Sequence, residues 1–255
     1  MSSLLTTPHI AGDVRAHLAR LGEVFADFGD ADAGCFGHGV AAAGGRYFVK
    51  HVVKDHGLAA QDRAIALHRA VRHPALPPLL AKIAGGRGPV LVYPWIEGVR
   101  LRESRLTGRL ALHETLDAIW TVIDVHRAIA AAGFVSIDLY DGNMLYGDRL
   151  HLIDVDEYER SPHRLVEERT PGSTRFMAPE EFRKGSLLDE RTCVFHLGRT
   201  VAVLLDPPEG LSLARAPRLQ PLVERATDPD PDRRFQTVEA LASAWIAARS
   251  LVETA

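Results

Sequence analysis

The dominant spacing of apolar residues shifts near residue 105 of this 255-residue chain, and that shift limits what it can fold into. In the first hundred residues the apolar runs are short and strand-like; from about residue 105 they recur every three or four positions. "GRYFVKHVV" (45–53) alternates aromatic and β-branched residues after a Gly-Gly turn, as a strand leaving a hairpin does. "GPVLVYPWIEG" (88–98) is a second apolar run bounded by glycines. Between them, "AAQDRAIALHRAVRHPALPPLL" has helical spacing until His73-Pro74 stops it. In the later part, "LHETLDAIWTVIDVHRAIAAAG" (112–133) places Leu116, Ile119, Ile123 and Ile129 near one helix face, with Gly133 as a C-terminal stop. "NMLY" and "LHLID" read as two short strands joined by Gly147-Asp148. Further helices are expected over 189–205, 217–227 and 236–252. The expected fold class is α+β, with a small sheet and one helix, then a larger helical half, and a cleft between the halves.

Composition narrows the partners. Hydrophobic content of 46% and charged content of 25% are those of a soluble globular protein, and a net charge of −3 lacks a polybasic signal. Nucleic acid and an anionic membrane are therefore not expected as partners. The two cysteines, Cys35 and Cys193, set up no disulfide framework and fit a reduced cytoplasm. The start, "MSSLLTTPHIAGDVR", lacks a signal-peptide pattern, and charges interrupt every apolar stretch before the length a membrane span needs.

Three polar residues stand at the ends of apolar segments. "SIDLYDGNML" (136–145) carries Asp138 and Asn143, and "LIDVDE" carries Asp154. As isolated fragments these fit two readings, turn residues or a metal-binding set around a reacting hydroxyl. Their order among the other segments separates the two. Taken together, "AGCFGHG" (33–39), "YFVK", "LVYPWIEG", "SIDLYDGN", "LIDVD" and "GSTRFMAPEEF" (172–182) resemble the protein-kinase superfamily, in particular bacterial eukaryotic-type Ser/Thr protein kinases of an atypical kind.

That resemblance implies a single kinase-like catalytic domain over 1–255. It would have two lobes, a small β-rich N-lobe over about 20–97 and a larger helical C-lobe over about 98–253. It implies Gly34, Gly37 and Gly39 over the ATP phosphates, and Lys50 neutralising the α- and β-phosphates. Pro94 would offer its carbonyl and Ile96 its N–H to adenine, with Tyr93 at the back of the pocket. Asp138 would accept or orient the substrate hydroxyl proton, and Asn143, Asp154 and Asp156 would bind Mg²⁺. Glu180 of Ala178-Pro179-Glu180 would pair with Arg234 in "DPDRRF".

The pattern also breaks. The helix glutamate expected at residue 64 is Ala64, which leaves Gln61 or Asp62 to partner Lys50. Tyr140 replaces the lysine two residues after the catalytic aspartate, and Ser136-Ile137 replaces His-Arg. Cys193 stands where an aspartate normally anchors that backbone, so anchor and anchored residues are expected to be lost together. Asp156 replaces a glycine, which makes "DVDE" look like the metal segment of small-molecule kinases. His68 and His73 lack a third metal ligand at the right spacing, and Ser136 lacks hydrolase partners. Thr170, Ser173 and Thr174 are candidate phosphorylation sites, although no arginine precedes Asp138 to receive a phosphate. The expected activity is ATP- and Mg²⁺-dependent phosphotransfer to a Ser/Thr hydroxyl of a protein. The alternatives are a small-molecule hydroxyl acceptor, an antibiotic or metabolite, and a nucleotide-binding pseudokinase scaffold.

Overall fold

The computed structural model describes residues 4–29, 34–104, 110–207, 210 and 212–253. The fold is mixed α+β, and the chain divides into two compact units, residues 1–72 with 77–97 and residues 73–76 with 98–255.

Unit 1 is built on a six-stranded sheet. Its elements are β1 (His9–Ile10), α1 (Val14–Leu21), β2 (Gly22–Phe28), β3 (Cys35–Ala42), β4 (Gly45–Val52), α2 (His56–Ala70), β5 (Ala81–Gly85) and β6 (Gly88–Pro94). The strand order is β1-β5-β6-β4-β3-β2. All pairings are antiparallel except that of the short β1 with β5. Gly44 (φ 98°) and Gly45 (φ 146°) make the tight turn into β4, a backbone that side chains with a Cβ rarely adopt.

Register assigns the two faces of this sheet, because residues paired across antiparallel strands point the same way. Tyr47 and Val49 pair with Val40, Pro94 and Val92, and on their face Leu18 and Val14 of α1 close a core with Leu4, Ile10, Ile83 and Val90. Each such buried aliphatic side chain contributes about 1.5–3 kcal/mol. Lys50 pairs with Gly37 and Leu91, and Phe48 with Gly39 and Tyr93, so these residues share the opposite face. There α2 covers the sheet, with Ala64 and Ile65 against Leu91, Leu79 and Tyr93. Its buried stripe is Gln61, Ala64, Ile65 and His68, the i, i+3, i+4, i+7 pattern of one helix face.

Unit 2 is mainly helical. It contains β7 (Val99–Arg100), α3 (Leu101–Ser104), α4 (Leu112–Ala131), β8 (Phe134–Val135), β9 (Met144–Tyr146) and β10 (Leu150–Leu152). After these come β11 (Glu159–Arg160), β12 (His163–Arg164), β13 (Leu187–Leu188), α5 (Glu190–Leu205), α6 (Gln220–Ala226) and α7 (Val238–Glu253). The face expected of α4 is the buried one, since Leu116, Ile119, Ile123 and Ile129 are all at most 1% exposed. The helix stops at Gly133, whose φ of 78° no helical residue takes. Both α5 and α7 pack on α4. Asp189 caps α5 by accepting from the Arg191 N–H at 2.9 Å. The strands expected in "NMLY" and "LHLID" form the β9–β10 hairpin, with Leu150 opposite Tyr146. No helix among the described residues is long and apolar enough to cross a membrane.

Candidate active site

The loop between β8 and β9 carries Asp138 and Asn143, and the stretch after β10 carries Asp154. Main-chain hydrogen bonding brings these segments together, because the Ile153 N–H donates to the Asn143 carbonyl at 2.9 Å. Asn143 is buried, and its Nδ2 donates to the Asp138 carbonyl at 2.9 Å. That bond holds Asp138 in a left-handed conformation, φ 59°, and Asp154 has φ 57°. Among the described non-glycine residues Leu213 alone shares a positive φ with them. Such conformations cost on the order of 1–3 kcal/mol and persist where surrounding contacts over-determine them, commonly at functional sites.

Electrostatics single out Asp138. Burial raises its carboxyl to about 7, and the charges of Asp154 and Glu157 push in the same direction. Glu157 is the last residue of "DVDE", and the sequence pattern gives it no individual role. Tyr140 is half-buried beside the pair, and burial, then Asp138 and Asp154, raise its hydroxyl above the usual range. It is therefore neutral, with the Arg102 guanidinium 5.7 Å from its ring centre. Gly142 permits this placement, since a Cβ there would meet the Tyr140 ring at 2.2 Å. Asp154 is exposed and Asp156 is buried.

The segment 170–182 lies against this loop. A Cβ on Gly172 (φ 126°) would come 3.0 Å from Asp138 Oδ1. Arg175 donates to both oxygens of Asp141 at 2.8 and 2.9 Å. The segment ends at Glu180, where Arg234 donates to both carboxylate oxygens at 2.7 and 2.9 Å, as the motif implied. Thr170 is buried, donating to Glu181 Oε1 at 2.9 Å, which removes it as an accessible phosphorylation site; Thr174 is exposed.

Cys193 departs from expectation. The anchor is replaced, not lost: the Ser136 N–H donates to Cys193 Sγ at 3.1 Å. A buried thiol is a weak acceptor, but it is positioned to take that N–H. Ser136 also has an imidazole partner, His196, which spacing along the chain did not suggest. One signal was present, since Cys193 and His196 are three residues apart and share a helix face.

In unit 1, Lys50 stands beside Gly37 in the register, on the face α2 covers. Gly37 and Gly39 lie within β3, where a Cβ would meet Phe48 at 2.7 Å and Phe25 at 2.6 Å. Their bare Cα atoms thus admit aromatic rings. The cluster continues through Trp95, 4.8 Å from Phe25 edge-on, with the Arg46 guanidinium 4.2 Å from the Phe25 ring centre. Gly34 (φ 75°) precedes β3, and residues 30–33 lie outside the described residues. Pro94 ends β6, the Trp95 N–H donates to the Arg46 carbonyl at 3.0 Å, and Ile96 follows this last ladder bond. Gln61 is fully buried, and neither of its amide atoms has a hydrogen-bond partner, so it makes no hydrogen bond to Lys50.

The chemistry around Asp138 fits a hard divalent cation bound with phosphate. Two carboxylates repel one another there, and Asn143, its Nδ2 engaged, keeps Oδ1 as a neutral oxygen donor. Among the described residues no three His, Cys, Asp or Glu form a metal-holding group. Mg²⁺ ordinarily takes one or two carboxylates and draws its other ligands from phosphate and water.

These features define an α+β protein with an acidic, strained loop-and-hairpin site under a segment locked by a buried ion pair. Over 125 residues the chain is 30% identical to a protein of Acanthamoeba polyphaga mimivirus provisionally named as a serine/threonine-protein kinase, 46% of this chain and 45% of that protein. It is also 28% identical over 167 residues to the serine/threonine-protein kinase PknG of Mycolicibacterium smegmatis, 60% of this chain and 21% of that protein. The chain thus spans less than half the length of either relative. No protein-family model matches it.

Proposed function

We propose that the chain is an ATP- and Mg²⁺-dependent phosphotransferase acting on Ser or Thr hydroxyls of a protein. The observation that carries this reading is the pairing of Asp138 and Asp154, both left-handed, with Asn143 bonded to the backbone of the first. The names of the two partial relatives support it.

In this reading Asp138 orients the acceptor hydroxyl and takes its proton, a role suited to a carboxyl held up at about 7. Asp154 and Asn143 hold Mg²⁺, with Asp156 and Glu157 adding negative charge nearby. The bound cation supplies charge neutralisation on the phosphate oxygens. Lys50 neutralises phosphate charge, Gly34 lets backbone approach it, and the Pro94 carbonyl and Ile96 N–H meet adenine. Gly37 and Gly39 serve the aromatic packing of β3. Glu180 and Arg234 fix the segment that receives a peptide. A small-molecule acceptor is the second reading, favoured by neutral Tyr140 where a lysine would meet a peptide hydroxyl.

The test is labelled ATP with Mg²⁺ and a generic basic protein, comparing wild type with Asp138→Ala. Label should enter the protein with wild type only, while both bind ATP by thermal shift. Full activity in Asp138→Ala overturns the assignment. Label confined to a small metabolite selects the second reading, and an ATP-dependent shift without turnover on any acceptor selects a scaffold.

A further inference from the structure

A buried chain of polar contacts ties segment 170–181 to the loop carrying Asp138, and no motif announces it. Ser136, two residues before Asp138, is 0% exposed, His196 1% and Glu181 0%. Ser136 Oγ lies 3.2 Å from Cys193 Sγ and 3.1 Å from His196 Nδ1. His196 Nε2 lies 2.6 Å from Glu181 Oε2. That oxygen also accepts from the Ala178 N–H at 2.6 Å, and Oε1 accepts from Thr170 Oγ1 at 2.9 Å. The Glu181 carbonyl accepts from the Thr170 N–H at 3.0 Å.

The hydrogens can be counted. A buried carboxylate is tolerated only if donors surround it, so His196 Nε2 carries a hydrogen. With a neutral ring, Nδ1 accepts from the Ser136 hydroxyl, which in turn accepts from the Cys193 thiol. Burial holds that thiol at about 11, so it keeps its proton. The sulfur then accepts the Ser136 N–H. Each polar side-chain atom of this relay is then satisfied, which makes the arrangement rigid. The order acid, imidazole, hydroxyl matches a hydrolase relay, but no substrate reaches a hydroxyl so enclosed.

We propose that His196 is a positioning residue: it couples docking of segment 170–181, through Glu181, to the placement of Asp138, through Ser136. This rests on the phosphotransfer reading above. Cys193 and His196 are presented by one face of α5, so a rigid helix spans the two segments. Asp138 needs such support, because its left-handed backbone relaxes if its neighbours move.

The test compares full-length wild type, His196→Ala, His196→Gln and Val201→Ala, a buried truncation on the same helix. Two readouts are taken, phosphotransfer kinetics and hydrogen exchange by mass spectrometry. His196→Ala should lower kcat about tenfold or more, as small misplacements of a catalytic group do, with KM for ATP within about twofold. His196→Gln, whose amide can donate to Glu181, should recover part of kcat. Val201→Ala should lose stability and keep kcat. Unchanged kcat in His196→Ala, or an equal loss in Val201→Ala, overturns the proposal. If wild type transfers no phosphate, the functional reading falls and exchange decides the coupling. Faster exchange of both 134–140 and 170–181 in His196→Ala supports it; faster exchange confined to α5 overturns it.

Discussion

Arg234 grips Glu180 through two hydrogen bonds, Nη1 to Oε1 at 2.7 Å and Nη2 to Oε2 at 2.9 Å, across 54 positions of sequence. The Arg234 side chain is 0% exposed and that of Glu180 6%. Burial works against ionisation of Glu180, but the guanidinium outweighs it and holds the carboxyl below its usual range. Removing one partner strands a buried charge. Arg234→Leu should therefore cost about 3–5 kcal/mol by denaturant unfolding, and adding Glu180→Leu should recover much of that loss. A change in Arg234→Leu no larger than that of an exposed substitution would show the pair to be inert.

Gly172 sits where a side chain would press on Asp138. Its φ of 126° strains any other residue, and the added Cβ would lie 3.3 Å from the Asp138 Cα. Gly172→Ala should lower turnover about tenfold or more by displacing Asp138. ATP binding, measured by thermal shift, should hold. Wild-type turnover in this variant would mean the contact carries no catalytic weight.

Gln61 buries an amide without partners in the stripe of α2 that packs on the sheet. An unsatisfied buried polar group costs about 1–3 kcal/mol, so Gln61→Met should raise the melting temperature of the ligand-free protein. A lower melting temperature would mean the amide is satisfied in solution.

His126 should shape acid stability. Its Nδ1 donates to the Val122 carbonyl at 2.7 Å, which leaves Nε2 to accept from the Tyr158 hydroxyl at 2.9 Å. Burial lowers its pKa to about 4, against the Val122 bond and with help from His196 and His73. The folded value lies below the ordinary 6.5, so the contribution is present above pH 6.5 and is lost as pH falls towards 4. The loss is on the order of 3 kcal/mol. His126→Gln should flatten that slope in unfolding curves between pH 7 and about 4, and an unaltered slope would remove His126 from the account.

Periodic features were readable in advance. The stripe of α4, the β9–β10 hairpin and the strand carrying Lys50 follow from the spacing of apolar residues and from glycine at turns, both local properties. The Glu180–Arg234 pair was readable as well, because two recognisable motifs each carry one partner. No local signal marks residues 9–28, since β2 takes its form from the sheet it completes and the short α1 from the core it packs on.

Side-chain companionship was not readable. Cys193 looked like a missing anchor, yet its sulfur still accepts the Ser136 N–H. Gly37 and Gly39 looked like phosphate-loop glycines, yet aromatic rings lie on both. Gln61 looked like a stand-in partner for Lys50 and is buried without a hydrogen bond. By itself the sequence determined the α+β class, the main helices and which aspartates stand at strand ends, because those depend on residues a few positions apart. Tertiary structure alone decided that Ser136, Cys193, His196 and Glu181 meet. Their contacts link positions 136, 181 and 193–196, and only the packing of α5 beneath both segments brings such distant groups within hydrogen-bonding reach.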